Sequence, residues 1–189
     1  MSELVIMVGI PGSGKSTYVQ ALGQQGYEII NPDAIRVELT GDMADQSQNA
    51  KVWGFAHRRL IEGLKQGKNM VLDATNVARK GRRELINLVR TEVPGTHIKA
   101  LVKDISKETA IERVKKRVGE GGLDIPPDVM DRMYEKYRLN PPTAEEGFDE
   151  VETIPDEKIT DDLSTIATAL EEHGYFKEAS EIDTLLRKE

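Results

Sequence analysis

Eight residues near the N-terminus, Gly9-Ile10-Pro11-Gly12-Ser13-Gly14-Lys15-Ser16, constrain the fold more than any other feature of the chain. They satisfy the pattern G-x-x-x-x-G-K-[ST], in which glycines let backbone N–H groups turn inward around phosphate oxygens. The pattern works only between a buried strand and the start of a helix, because the helix N-terminus adds its own N–H groups and dipole. Both flanks meet that demand. Leu4 to Val8 is a short apolar run suited to a buried parallel strand, and a helix is expected from Lys15 to about Gln24. Gly12, Ser13, Gly14, Lys15, Ser16 and Thr17 are therefore the expected nucleotide-binding residues. Lys15 supplies charge to the β and γ phosphates, and Ser16 offers a hydroxyl to Mg²⁺.

The rest of the chain alternates strand and helix. Strands are expected at Tyr27–Ile30, Met70–Leu72, Ile98–Val102 and Glu150–Ile154. Helices are expected from near Asp33, over Ser47–Gln66 and Lys80–Val93, after a Ser106 cap, and from Pro126-Pro127-Asp128 to about Leu139. This alternation predicts an α/β fold of the P-loop NTPase type, a parallel sheet covered by helices on both faces. After Pro155 the pattern changes to two amphipathic stretches, Leu163–Leu170 and Phe176–Leu185, hinged at Gly174. The expected organisation is a kinase-sized domain over 1–155 and a C-terminal helical hairpin over 156–189.

Composition narrows the function classes. A formal charge of −7 argues against a general nucleic-acid coat protein, whose affinity comes from neutralising many phosphates, but not against an enzyme that grips one strand end. Basic residues cluster at His57-Arg58-Arg59, Arg79-Lys80 with Arg82-Arg83, and Arg113 with Lys115-Lys116-Arg117, each readable as a solvated helix face. There is no cysteine, which excludes disulfides and thiolate metal sites and agrees with a reducing cytoplasm. No run approaches the length of a membrane span, and the opening residues lack the basic region and cleavage site of an export signal. A cytoplasmic protein is the expectation; oligomeric state is not legible.

Motors, switches and kinases share the glycine loop. No N-K-x-D is present, which disfavours a guanine-specific switch, and Asp73 is followed by Ala74 rather than a water-polarising glutamate, which disfavours a motor. Transfer to an acceptor hydroxyl remains. Asp33 and Arg36, three apart at a helix start, share a face near the carboxyl edge of the sheet. A carboxylate there can take the proton of an attacking hydroxyl and a guanidinium can hold an acceptor phosphate, although on spacing alone Asp33 could equally be a helix cap and Arg36 a solvated side chain.

The blocks GIPGSGKST, INPDAIR, VLDATN with RKGRREL, ERVKKR and NPPTAEEGFDEV together resemble the kinase domain of the polynucleotide 5′-hydroxyl kinases over about residues 4 to 154. The resemblance implies a kinase that uses ATP and Mg²⁺ and acts on a DNA or RNA acceptor. It implies a general-base role for Asp33, an acceptor contact for Arg36, and a lid role over the β and γ phosphates for Arg117, with Arg113 the neighbouring candidate. Asp73 is assigned to Mg²⁺ in Walker B fashion, and Thr75, Asn76 and Arg79 to the acceptor pocket. Ala74 stands where the phage enzymes carry an acidic residue, and the DxDxT signature of their phosphatase modules is missing. Related kinases phosphorylate the hydroxymethyl group of modified pyrimidines such as 5-hydroxymethyluracil, a tRNA-linked serine, or small metabolites, and these acceptors stay open.

Overall fold

A computed structural model describes residues 2–154, 168 and 176–186. The chain divides into two units, 1–154 and 155–189. The first is a five-stranded, wholly parallel sheet in the order β2-β3-β1-β4-β5. Its strands are β1 (Glu3–Val8), β2 (Glu28–Ile30), β3 (Met70–Leu72), β4 (His97–Lys103) and β5 (Glu150–Ile154).

The expected α/β class is what the structure contains, and the alternation along β1 shows why. Leu4, Ile6 and Val8 enter one core while Val5 and Met7 enter a second on the opposite face. A strand apolar on both sides must be covered on both sides. One face carries α3 (Asn49–Lys65), α4 (Arg79–Glu92), α5 (Lys107–Gly119) and α6 (Pro127–Leu139), which bury Leu60, Ile86, Val114 and Met130 among others. The other takes Val19 of α1 (Lys15–Gln24), with Tyr18 and Leu22 packed beside it.

Because every crossover returns to the same edge, the loops after β1, β2 and β3 open side by side. The backbone ties them together: Gly9 N–H donates to Thr75 O at 3.0 Å and Asp73 N–H to Ile30 O at 2.8 Å. Helix α2 (Pro32–Thr40) starts at that edge. Its cap is Asn31, whose side chain accepts from the N–H groups of Asp33 and Ala34, with Pro32 at the first helical position. Asp33 is thus released from capping. Ser106 caps α5 as expected, accepting from Thr109 N–H at 3.1 Å.

Two features differ from the sequence reading. A short 3-10 turn at Ala144–Glu146 lies within the NPPTAEEGF block, where no element is expected. Arg82 is fully buried rather than part of a solvated basic face. Glu146 accepts from its Nε at 2.8 Å and its Nη2 at 2.6 Å, and the backbone oxygens of Asn76 and Asn140 accept from Nη1 and Nη2 respectively at 2.9 Å. Of the expected C-terminal pair, the second stretch coincides with α7 (Phe176–Leu186), and the first, apart from residue 168, lies outside the described residues.

Candidate active site

The phosphate loop is built by close packing. Gly12 sits at φ +80°, and a Cβ there would stand 2.5 Å from the carbonyl oxygen of Ala110 in α5. Gly14, at φ +88°, occupies the position before α1. Only glycine tolerates both demands. Lys15 is buried and donates through Nζ to the carbonyl oxygens of Gly9 and Ile10 at 2.9 Å and to Ser13 Oγ at 3.2 Å. Burial lowers its pKa to about 8, with the nearby carboxylate of Asp73 acting in the opposite direction and the charge of Arg117 reinforcing the drop. Ser16 and Thr17, in the first turn of α1, are exposed.

Asp73 leaves β3 facing this lysine. Burial raises its pKa, and the charge of Lys15 and a 3.0 Å hydrogen bond from Asn31 Nδ2 to Oδ2 pull the other way. Asp33, on the first turn of α2, is close enough to add like-charge repulsion. Asp73 thus feels the charge of Lys15 on one side and is hydrogen-bonded on the other to Asn31, whose side chain accepts from Asp33 N–H.

Asp33 is exposed and forms an ion pair with Arg36, which is buried. Arg36 Nη2 donates to Asn49 Oδ1 at 3.1 Å, while its buried Nε has no protein acceptor. A guanidinium with one N–H so placed retains capacity for another oxygen.

Helix α5 brings the lid candidates to the loop. Arg113 Nη1 lies 3.8 Å from where a Cβ on Gly14 would stand, so it touches the loop, whereas Arg117 is more exposed and reaches Lys15 through its charge. The turn after α5 folds back on the Arg117 stem: Gly122 N–H donates to Arg117 O at 2.9 Å, and a Cβ on Gly122 would meet Arg117 Cγ at 2.6 Å.

Thr75 and Asn76, which follow Asp73 in the chain, line a cavity of about 610 Å³. Asn76 also serves the fold, since at φ +45° its Nδ2 donates to Met7 O at 2.7 Å. Arg79 stands apart from this cavity's lining and lies 3.9 Å from both Glu145 and Glu146.

The structure thus gathers Lys15, Asp73, Asp33, Arg36, Arg113 and Arg117 around the phosphate loop and sets Arg79 against the acidic turn. Sequence reasoning missed Asn31, Asn49 and Lys103, which is buried at the end of β4 with Nζ 4.8 Å from the Tyr18 ring centre and Cε 3.7 Å from the Gly14 Cβ position. The Asn31-Pro32 pair carried a cap signal; the other two are set by packing across the sheet.

The donor chemistry fits the ligands that such a loop implies. The glycine cradle and the buried ammonium suit a phosphate chain. Ser16 and Asp73 offer hard oxygens, and a magnesium ion that also binds phosphates needs only one or two protein oxygens. Fold and phosphate loop together define a domain of the P-loop nucleotide-binding class. The chain belongs to the AAA domain family, whose model matches residues 4–140.

The chain is 30% identical over 155 residues to a bifunctional polynucleotide phosphatase/kinase of Schizosaccharomyces pombe, covering 81% of this chain and 33% of that protein. It is 26% identical over 149 residues to an L-seryl-tRNA(Sec) kinase of Methanococcus maripaludis, covering 71% of this chain and 52% of the other. The solved structure of the Pnkp1/Rnl/Hen1 RNA repair complex superposes with a TM-score of 0.63 at 26% identity, over 78% of this chain and 46% of that one. The chain spans a third to a half of the length of these curated relatives.

Proposed function

We propose that this chain transfers the γ-phosphoryl group of ATP to the 5′-hydroxyl of a nucleic-acid end. The observation that carries the reading is the placement of the Asp33–Arg36 pair, which the Asn31 cap holds beside Asp73 and, through it, beside Lys15. ATP supplies the phosphoryl group; Ser16 and Asp73 would hold Mg²⁺, which would supply positive charge against the phosphate oxygens. Gly12, Ser13, Gly14 and Thr17 cradle the phosphate chain through backbone N–H groups, and Lys15 holds the β and γ oxygens.

Arg36 binds and orients the acceptor, and the exposed Asp33 carboxylate accepts the proton of its hydroxyl. The hydroxyl oxygen forms a bond to γ-phosphorus as the bond to the bridging oxygen breaks, and ADP leaves. Arg117, with Arg113 beside the loop, stabilises charge on the equatorial oxygens. Thr75 and Asn76 line the acceptor's approach, with Arg79 at its margin. The S. pombe relative supports a polynucleotide as acceptor.

The test is transfer from γ-labelled ATP with Mg²⁺ to a 5′-hydroxyl oligonucleotide, a 5′-phosphorylated one, and a 5′-phosphorylated duplex containing 5-hydroxymethyluracil. Label is expected on the first alone. Label on the modified duplex, or on none of the three, overturns the reading. Asp33→Asn is expected to remove turnover by about 10²-fold or more while leaving ATP affinity unchanged. Loss of ATP binding in that variant contradicts the base role.

A further inference from the structure

The cavity beyond Asp73 has walls that neither phosphoryl transfer nor phosphate binding requires. Its volume, about 610 Å³, lies in the range of sites that enclose small organic groups. Thr75 and Asn76, from the segment that follows Asp73, contribute polar wall, and Val77 and Met133 apolar wall. Trp53 and His57, one turn apart on α3, set two rings on another side with centres 5.7 Å apart and planes inclined at 53°. Burial lowers the pKa of His57, which favours its neutral ring. Arg132 and Lys136, one turn apart on α6, line the cavity with exposed cationic side chains. Arg132 pairs with Asp128 at 2.8 Å, but both side chains are about two-thirds exposed, and such pairs are weak.

An apolar slot with an indole on one wall and cations at its margin is complementary to a flat aromatic ring carried on a phosphate backbone. It offers little to a sugar alone and more space than a phosphate fills. We propose that this cavity holds the nucleobase of the acceptor's 5′-terminal nucleotide, stacked on Trp53, with Arg132 and Lys136 meeting the backbone that follows. This rests on the nucleic-acid reading above. A base paired in a duplex already has one face stacked and its edge engaged, so the preferred acceptor is an unpaired 5′ end.

Trp53 is the sole tryptophan of the chain, so its fluorescence reports the cavity without background. The full chain is titrated with three 5′-hydroxyl DNA probes: a single strand ending in thymidine, the same strand with an abasic 5′-terminal nucleotide, and the first strand annealed as a blunt duplex. Quenching and transfer are followed for each. The single strand is expected to quench Trp53, and the abasic and blunt probes to raise KM by about ten- to a hundredfold with kcat little changed. Trp53→Ala is expected to raise KM for the intact single strand by a similar factor, whereas Trp53→Phe, which keeps a stacking face, retains most of the affinity. ATP affinity serves as the check on folding, and if Trp53→Ala does not fold, the three probes on the unaltered protein decide. Equal quenching and equal KM for intact and abasic strands overturn the inference while transfer to both leaves the kinase reading standing. Transfer to none of the probes overturns the kinase reading and this inference with it.

Discussion

Lys15 meets two opposing demands. Its ammonium must be available to phosphate oxygens, yet it is buried against its own loop, and that burial brings its pKa down to about 8 from 10.5. A bound phosphate chain favours the charged form and shifts the pKa back upward. Nucleotide binding near pH 9 is therefore expected to take up a proton, and affinity is expected to fall as pH rises through about 8. Titration calorimetry in two buffers of different ionisation enthalpy measures the uptake, and its absence would contradict the assignment. The stability effect has the opposite sense. Between the folded value of about 8 and the unfolded 10.5 the unfolded chain holds more protons, so this residue's contribution to stability increases with pH across that window.

Elements are locked together by groups that sequence patterning places badly. Apolar periodicity places the strands and most helix cores to within one or two residues, because a parallel sheet writes its burial into near-continuous apolar runs. Arg82 escapes that logic. It lies in the run Arg79-Lys80-Gly81-Arg82-Arg83, which reads as solvated, and its partner Glu146 is 64 residues away. Asn49 as the partner of Arg36 is hidden for the same reason, since a contact across two helices leaves no local signature. The phosphate loop was legible because it depends on local sequence between a strand and a helix, whereas Asp33 and Arg36 drew their candidate roles from the resemblance, since their spacing fits a cap and a solvated side chain as well. The Arg82–Glu146 pair joins the start of α4 to the 3-10 turn and supports the Asn76 carbonyl at the site. With both side chains fully buried, Glu146→Gln is expected to cost about 3–5 kcal/mol by leaving the guanidinium under-compensated. Arg82→Met in the same background is expected to recover part of that loss. Urea denaturation of the two single variants and the double variant completes the cycle, and strictly additive losses would refute the lock.

At the scale of the molecule, the strand order places β1 between β3 and β4, so the ends of β1, β2 and β3 that lead to Lys15, Asp33 and Asp73 all open at one edge of the first unit. Every proposed catalytic residue lies within 1–154, as does the cavity that carries Trp53. That unit has hydrophobic cores on both faces of its sheet, and β5 ends it with Ile154 paired to Lys103 in register. We therefore propose that the first unit is a sufficient kinase. A chain ending at Ile154 is expected to unfold cooperatively in urea and to retain ATP binding and transfer within about threefold, because the cut removes none of the proposed catalytic groups and falls between the two units. The measurement is a denaturation curve beside a transfer assay on both chains. Loss of cooperative unfolding would show that the remaining residues complete the core. Retained folding with lost transfer would instead assign those residues to the acceptor side of the reaction, since the phosphate loop and Asp73 are complete within the first unit.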